Sequence, residues 1–152
     1  MTRQTILRVA RIVAAGTAGG IVGCREQPPP QPIIGAWVVR HSAAPFQYHM
    51  YVFNADGTMQ QANPDAGNAR TSDSDGKGIW VADGDTVRGK FVEVRADRAT
   101  HAYVGKGEIS FRVVIRRDSL IGTASARFFN PADALVDGPI ATDMIGSRVG
   151  LP

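Results

Sequence analysis

Cysteine is nearly absent: Cys24 is the only one in 152 residues. No internal disulfide can brace the fold, and the chain has no CxxC or cysteine–histidine zinc spacing. Histidine is scarce too, at three residues, and aromatics make up only 7% of the chain. No stretch after residue 33 holds a helical period for three turns, which excludes a helical bundle. A membrane span is missing as well. The apolar run from Ile12 to Gly23 would rise about 18 Å as a helix, short of a ~30 Å hydrocarbon core. Extending it over Ile6 to Val13 would bury Arg8 and Arg11 at high cost. Net charge is the last absence. Three of the 17 basic residues, and none of the 14 acidic ones, lie in residues 1–23. Beyond them the chain is balanced at 14 of each sign, so its basic character gives no case for nucleic acid as a partner. Arg112, Arg116 and Arg117 read as a solvated strand face.

What is present begins with an address. Arg3, Arg8 and Arg11 precede the apolar run, and small residues follow it, in the order of a secretory signal over residues 1–23. Ile21-Val22-Gly23-Cys24 resembles the lipobox of bacterial lipoproteins, where the cysteine becomes the lipidated first residue. That resemblance implies a cell-envelope lipoprotein held at the membrane by lipid on Cys24 alone. Without the lipid, the signal implies a periplasmic or secreted protein. The proline-rich residues 24–33 read as a stiff tether. Residues 34–152 are the right size for one domain, held by a hydrophobic core.

Turn signals recur through that domain: Asn54-Ala55-Asp56-Gly57, Asp75-Gly76, Asp83-Gly84-Asp85, Arg117-Asp118-Ser119 and Asp137-Gly138-Pro139. Between them lie runs rich in Val, Ile, Phe, Tyr and Thr, the rhythm of consecutive antiparallel strands. The pattern predicts eight strands, at 34–42, 47–53, 57–62, 77–82, 86–95, 101–116, 119–129 and 139–149. Residues 63–75 read as a long polar loop, and Asn130 could cap a short helix reaching Ala134, with Pro131 in its first position. Gly105 and Gly107 mark a bend or bulge in the longest strand. The simplest closure is an all-β, eight-stranded, antiparallel up-and-down barrel.

Gly35-Ala36-Trp37 on the first strand resembles the Gly-x-Trp motif of lipocalins and other calycin-type barrels. In that superfamily a late basic residue packs across the tryptophan, and Arg148 is its counterpart here. Phe53-Asn54-Ala55-Asp56-Gly57-Thr58 resembles a hairpin of bacterial lipocalin-like domains. The lipocalin disulfide and the long C-terminal helix have no counterpart, so the resemblance is to a shorter calycin-like relative.

Inside and outside positions alternate along barrel strands. Large apolar residues set the phase. Phe53 inside brings Tyr51 and His49 inside; Val87 and Phe91 bring Glu93; Trp37 brings His41. Ile109, Phe111, Val113 and Ile115 bring Tyr103 and His101, if no bulge intervenes. The opposite phase stays open for 86–95, where Val92 and Val94 compete. Trp37, His41, Tyr51, Phe53, Trp80, Phe91, Tyr103, Phe111 and Phe128 are then the candidate wall for a ligand. A buried carboxylate needs a partner. Glu93 is expected to hydrogen-bond to His101 or Tyr103 on the neighbouring strand, with His49 farther round.

Two functions fit. One is capture of a small hydrophobic or amphipathic molecule in the interior. The other is a cofactor-independent isomerase, cyclase or lyase in which Glu93, His101 and His49 do acid–base work, as the scaffold of allene oxide cyclase suggests by analogy. Neither calls for a cofactor. The histidines have no local metal-ligand spacing, and Asp73-Ser74-Asp75-Gly76 reads as a polar turn, not a calcium loop. The sequence leaves self-association into a homo-oligomer open.

Overall fold

A computed structural model describes residues 31–150. The signal, Cys24 and most of the tether lie outside the described residues. The domain is built from nine strands: β1 (Gly35–His41), β2 (Tyr48–Phe53), β3 (Thr58–Ala62), β4 (Thr71–Asp73), β5 (Gly76–Asp83), β6 (Thr86–Asp97), β7 (Tyr103–Arg116), β8 (Ser119–Phe129) and β9 (Leu135–Arg148). All neighbours are antiparallel, and β1 pairs with both β2 and β9. Pairing of β6 with β7 completes the circuit, giving the closed eight-stranded antiparallel barrel that turn spacing implies.

Nine strands make eight staves because β4 and β5 lie end to end along β6. Asp73 faces Arg95 and Lys77 faces Val92. The extra residue between them is a bulge at Ser74-Asp75, where the Ser74 amide donates to Val94 O at 2.9 Å. Residues 71–73, expected in the 63–75 loop, therefore belong to the wall. Polar side chains hid them: Thr71, Ser72 and Asp73 carry no apolar alternation.

The last strand is longer than expected. Asp137-Gly138-Pro139 is not a turn but an irregularity within β9, where the register against β8 shifts. A proline with no N–H is tolerated there because the ladder is already broken. The true turn is at Asn130, whose Oδ1 accepts from the amides of Ala132 and Ala134, each at 3.0 Å. That side chain closes a tight turn where a short helix was expected.

The floor of the barrel is packed with Ile33, Trp37, Phe53, Met59, Trp80, Val87, Phe111, Val113 and Leu120. Ile33 is fully buried and its carbonyl accepts the Trp37 Nε1–H at 2.7 Å, so the barrel claims a residue read as tether. Trp37 faces Arg148 across β1 and β9, and the guanidinium lies 4.3 Å from the indole, as the calycin resemblance implies. Arg148 also donates to Ile34 O at 2.7 Å and to Pro32 O, pinning the incoming chain. Trp80 is likewise structural: its Nε1–H is shared between Asn54 O at 3.1 Å and Thr58 O at 3.0 Å.

Candidate functional site

Above that floor the barrel is hollow. A cavity of about 330 Å³ opens toward the β1–β2 loop and the loop before β4, where Pro45 and Gly67 meet over the mouth. The expected wall divides in two. His41, Tyr51, Phe91 and Phe128 line the cavity, and Glu93 and His49 join them. Trp37, Phe53, Trp80 and Phe111 instead fill the floor.

Two expected members are elsewhere. Beyond Gly105 the register slips, so that Arg95 faces Gly105 but Ala96 faces Tyr103. Gly105 sits at a φ of +131°, a conformation favourable to glycine alone, and the extra residue reverses the phase. Tyr103 is therefore 52% exposed on the outer surface. His101 lies in the exposed β6–β7 turn at φ 59°. Neither lines the chamber, and the Glu93 partnership expected of them does not form.

Glu93 itself points inward, as Phe91 and Val87 imply, and is 9% exposed. Its carboxylate rests against Gly107, where a Cβ would fall 2.8 Å from Oε1, so a larger residue there would push the Glu93 carboxylate aside. Among the described residues it has no hydrogen-bond partner, and what exposure it keeps is to the cavity. Burial, followed by the nearby charge of Asp73, raises its pKa from 4.5 to about 7; Arg95 offsets part of this.

The opposite wall is tightly bonded. The Gly76 amide donates to Gln61 Oε1 at 3.1 Å, and Gln61 Nε2 donates to His49 Nδ1 at 2.8 Å. With Nδ1 accepting, His49 Nε2 carries the proton and donates to Phe46 O at 2.9 Å. His49 thus ties the mouth loop to the wall, and both its nitrogens are engaged. Next to it, His41 Nε2 shares a hydrogen bond of 2.9 Å with the Tyr51 hydroxyl. The two imidazole rings are 4.7 Å apart between centroids. Burial and then His49 bring the pKa of His41 down to about 4, so it is neutral at ordinary pH. Burial lowers His49 as well, and burial followed by the Glu93 charge raises Tyr51. Among the described residues no three metal-ligating side chains converge.

Sequence reasoning missed Gln61, Arg95, Asp73 and Asp65, all of which line the cavity or its mouth. Gln61 could have been found, because it shares the inward phase of Met59 on β3. Asp65 was not legible, since loops carry no periodicity.

No family model matches this chain, and no curated protein matches it. Among solved structures, the crystal structure of Rv2717c from M. tuberculosis is similar. The two share 14% identity at a TM-score of 0.38, over 78% of this chain and 94% of that one.

Proposed function

We propose that the barrel is a binding module for a small hydrophobic or amphipathic molecule held in its upper chamber. The observation that carries this reading is the chamber's two-sided chemistry. Phe91, Ile109, Ala126 and Phe128 offer apolar wall, while Glu93 offers a carboxylate that has no hydrogen-bond partner among the described residues. Apolar wall set beside convergent polar groups is the mark of a ligand site. Acid–base catalysis is less well supported. His49 has no free nitrogen, and His101, the expected partner of Glu93, is outside the chamber. The signal and Cys24 extend the reading to a lipid-tethered protein of the cell envelope, and an intact mass that still includes residues 1–23 would end that part of it.

The chamber can be tested with a neutral fluorescent apolar probe such as N-phenylnaphthylamine. The chain from residue 25 onward keeps the whole closed barrel and its core. It should bind the probe with a Kd of about 1–100 μM. Ala126→Trp, which fills the chamber from β8, should cut that affinity at least about ten-fold while the circular dichroism is unchanged. Equal binding by the filled variant would refute a ligand chamber.

A further inference from the structure

The charges around the chamber do not balance, and the imbalance describes the ligand. Five charged or titratable groups line the cavity from β4, β6, β9 and the loop before β4 in addition to the neutral His41, His49 and Tyr51: Asp65, Asp73, Glu93, Arg95 and Asp137. Two of the acids are answered. Arg95 Nε donates to Asp73 at 3.0 Å, and Arg98 lies 3.0 Å from Asp65. Arg95 acts on Glu93 only through its nearby charge, without a hydrogen bond or ion pair to it. Its Nη2 donates to the Thr71 hydroxyl at 3.1 Å, and its guanidinium stacks 4.8 Å from the Phe128 centroid. Asp137 is solvent-exposed at the mouth, with Oδ1 accepting from the Gly138 amide at 2.7 Å. On β7 the facing position is Gly107, which brings no charge. Among the described residues Glu93 is left as a buried carboxylate with no hydrogen bond or ion pair, its remaining exposure turned to the cavity.

We propose that the chamber's ligand is a small amphipathic organic cation, its ammonium seated on the Glu93 carboxylate and its apolar body on Phe91, Ile109 and Phe128. This rests on the binding reading above and names the chemistry of its ligand. Burying an uncompensated charge is costly, and removing that cost favours whatever brings the opposite charge. An ammonium adds charge-assisted hydrogen bonds to both carboxylate oxygens. Aromatic faces beside it attract a cation further. A neutral ligand would leave the charge unanswered, and an anion would add a second one. In the free protein the raised pKa of Glu93 expresses the same missing partner.

Three ligands of one length separate the alternatives: octylamine, octanol and octanoate, titrated calorimetrically into the chain from residue 25 onward. At about pH 8.5 Glu93 is ionised and the amine still protonated, so octylamine should bind at least about ten-fold tighter than octanol, with octanoate weakest. At about pH 5.5 Glu93 is protonated, and the amine's advantage should fall to about three-fold or less. His41 stays neutral at both values, so it does not imitate this change. Glu93→Gln should remove the preference at high pH and leave octanol binding within about three-fold. If that variant does not fold, the pH dependence of the wild-type preference still decides. Octanol binding as tightly as octylamine, or a preference that survives Glu93→Gln, would overturn the cation while leaving the chamber's binding role standing. Binding of none of the three would overturn both.

Discussion

The two halves of this barrel are made by the same strands and have opposite characters. Read upward from the floor, the inward positions of β1 run Trp37, Val39, His41, and those of β2 run Phe53, Tyr51, His49. On β3 the order is Met59 then Gln61, and on β6 it is Val87, Gly89, Phe91, Glu93. These four staves trade apolar for polar at about the same level, while β7 and β8 continue the apolar wall upward through Ile109, Ala126 and Phe128. Tyr51 marks the boundary: its ring packs edge-on to Phe91 and Phe111, and its hydroxyl bonds to His41. The lower half is stabilised by burying large side chains at near-crystalline density. The upper half buries polar groups and leaves space between them, which costs stability. A fold that had only to be stable would continue the apolar series to the top. The difference leaves stability to one end and places a polar-lined cavity at the other.

The largest expected effect lies in the floor. Trp37 is fully buried, bonded to Ile33 O and covered by Arg148. Trp37→Ala should cost about 3–5 kcal/mol through lost burial and a residual cavity. Urea denaturation measures it. A loss near 1 kcal/mol would mean that the floor collapses around the gap and is less fixed than its packing implies.

A change in the chamber should act in the opposite direction. The folded state holds the Glu93 proton more tightly than the unfolded chain, because its pKa is raised from 4.5 to about 7. Glu93 therefore imposes no ionisation cost below about pH 4.5, and stability is lost as pH rises through about 7. The shift corresponds to a cost of about 3 kcal/mol above that window, an upper value because the site is open to water. Glu93→Gln should thus stabilise the ligand-free protein at alkaline pH by up to about 3 kcal/mol and flatten its pH dependence. Melting temperatures that are equal for the two proteins at high pH would show that Glu93 finds a partner after all. Opposite signs for Trp37→Ala and Glu93→Gln are the sharpest expression of the difference between the two halves.

Much of this division was legible before any coordinates. Alternation of large apolar residues set the inward phase of β1 and β2 and so brought His41, His49 and Tyr51 to one face; for β6 Val87 and Phe91 pointed Glu93 the same way, but Val92 and Val94 left the opposite phase open. The Gly-x-Trp motif located the floor, with Arg148 across it. The illegible parts have particular physical causes. Alternation tells which face a residue occupies but not its height, so Phe53 and Phe111 read as ligand wall when they are floor. It also fails across a bulge, because one inserted residue reverses every side chain beyond it. Gly105 announced that bulge, but not on which side of it the phase would turn. Asp73 reaches the chamber from β4, a strand too polar to look like one, whereas Arg95 lies on β6 in phase with Phe91 and Glu93.

The smallest expected effect concerns that reversal. Had β7 kept its phase, His101 and Tyr103 would stand beside Glu93 and their removal would cripple the chamber. Instead Tyr103 is on the outer surface, and His101 sits in a turn whose geometry depends on its backbone, with its amide donating to Asp97 O at 2.9 Å. The substitution His101→Asn keeps a residue that tolerates the left-handed conformation at φ 59°. Combined with Tyr103→Thr, a residue suited to an exposed strand, it should change stability by no more than about 0.5–1 kcal/mol. Probe affinity should stay within about two-fold of wild type. A ten-fold loss of binding in this double variant would mean that β7 keeps its phase past Gly105 and that the upper chamber has a wall of different composition. An unchanged affinity, beside the loss expected for Ala126→Trp, would confine the ligand to the face shared by β2, β6 and β8.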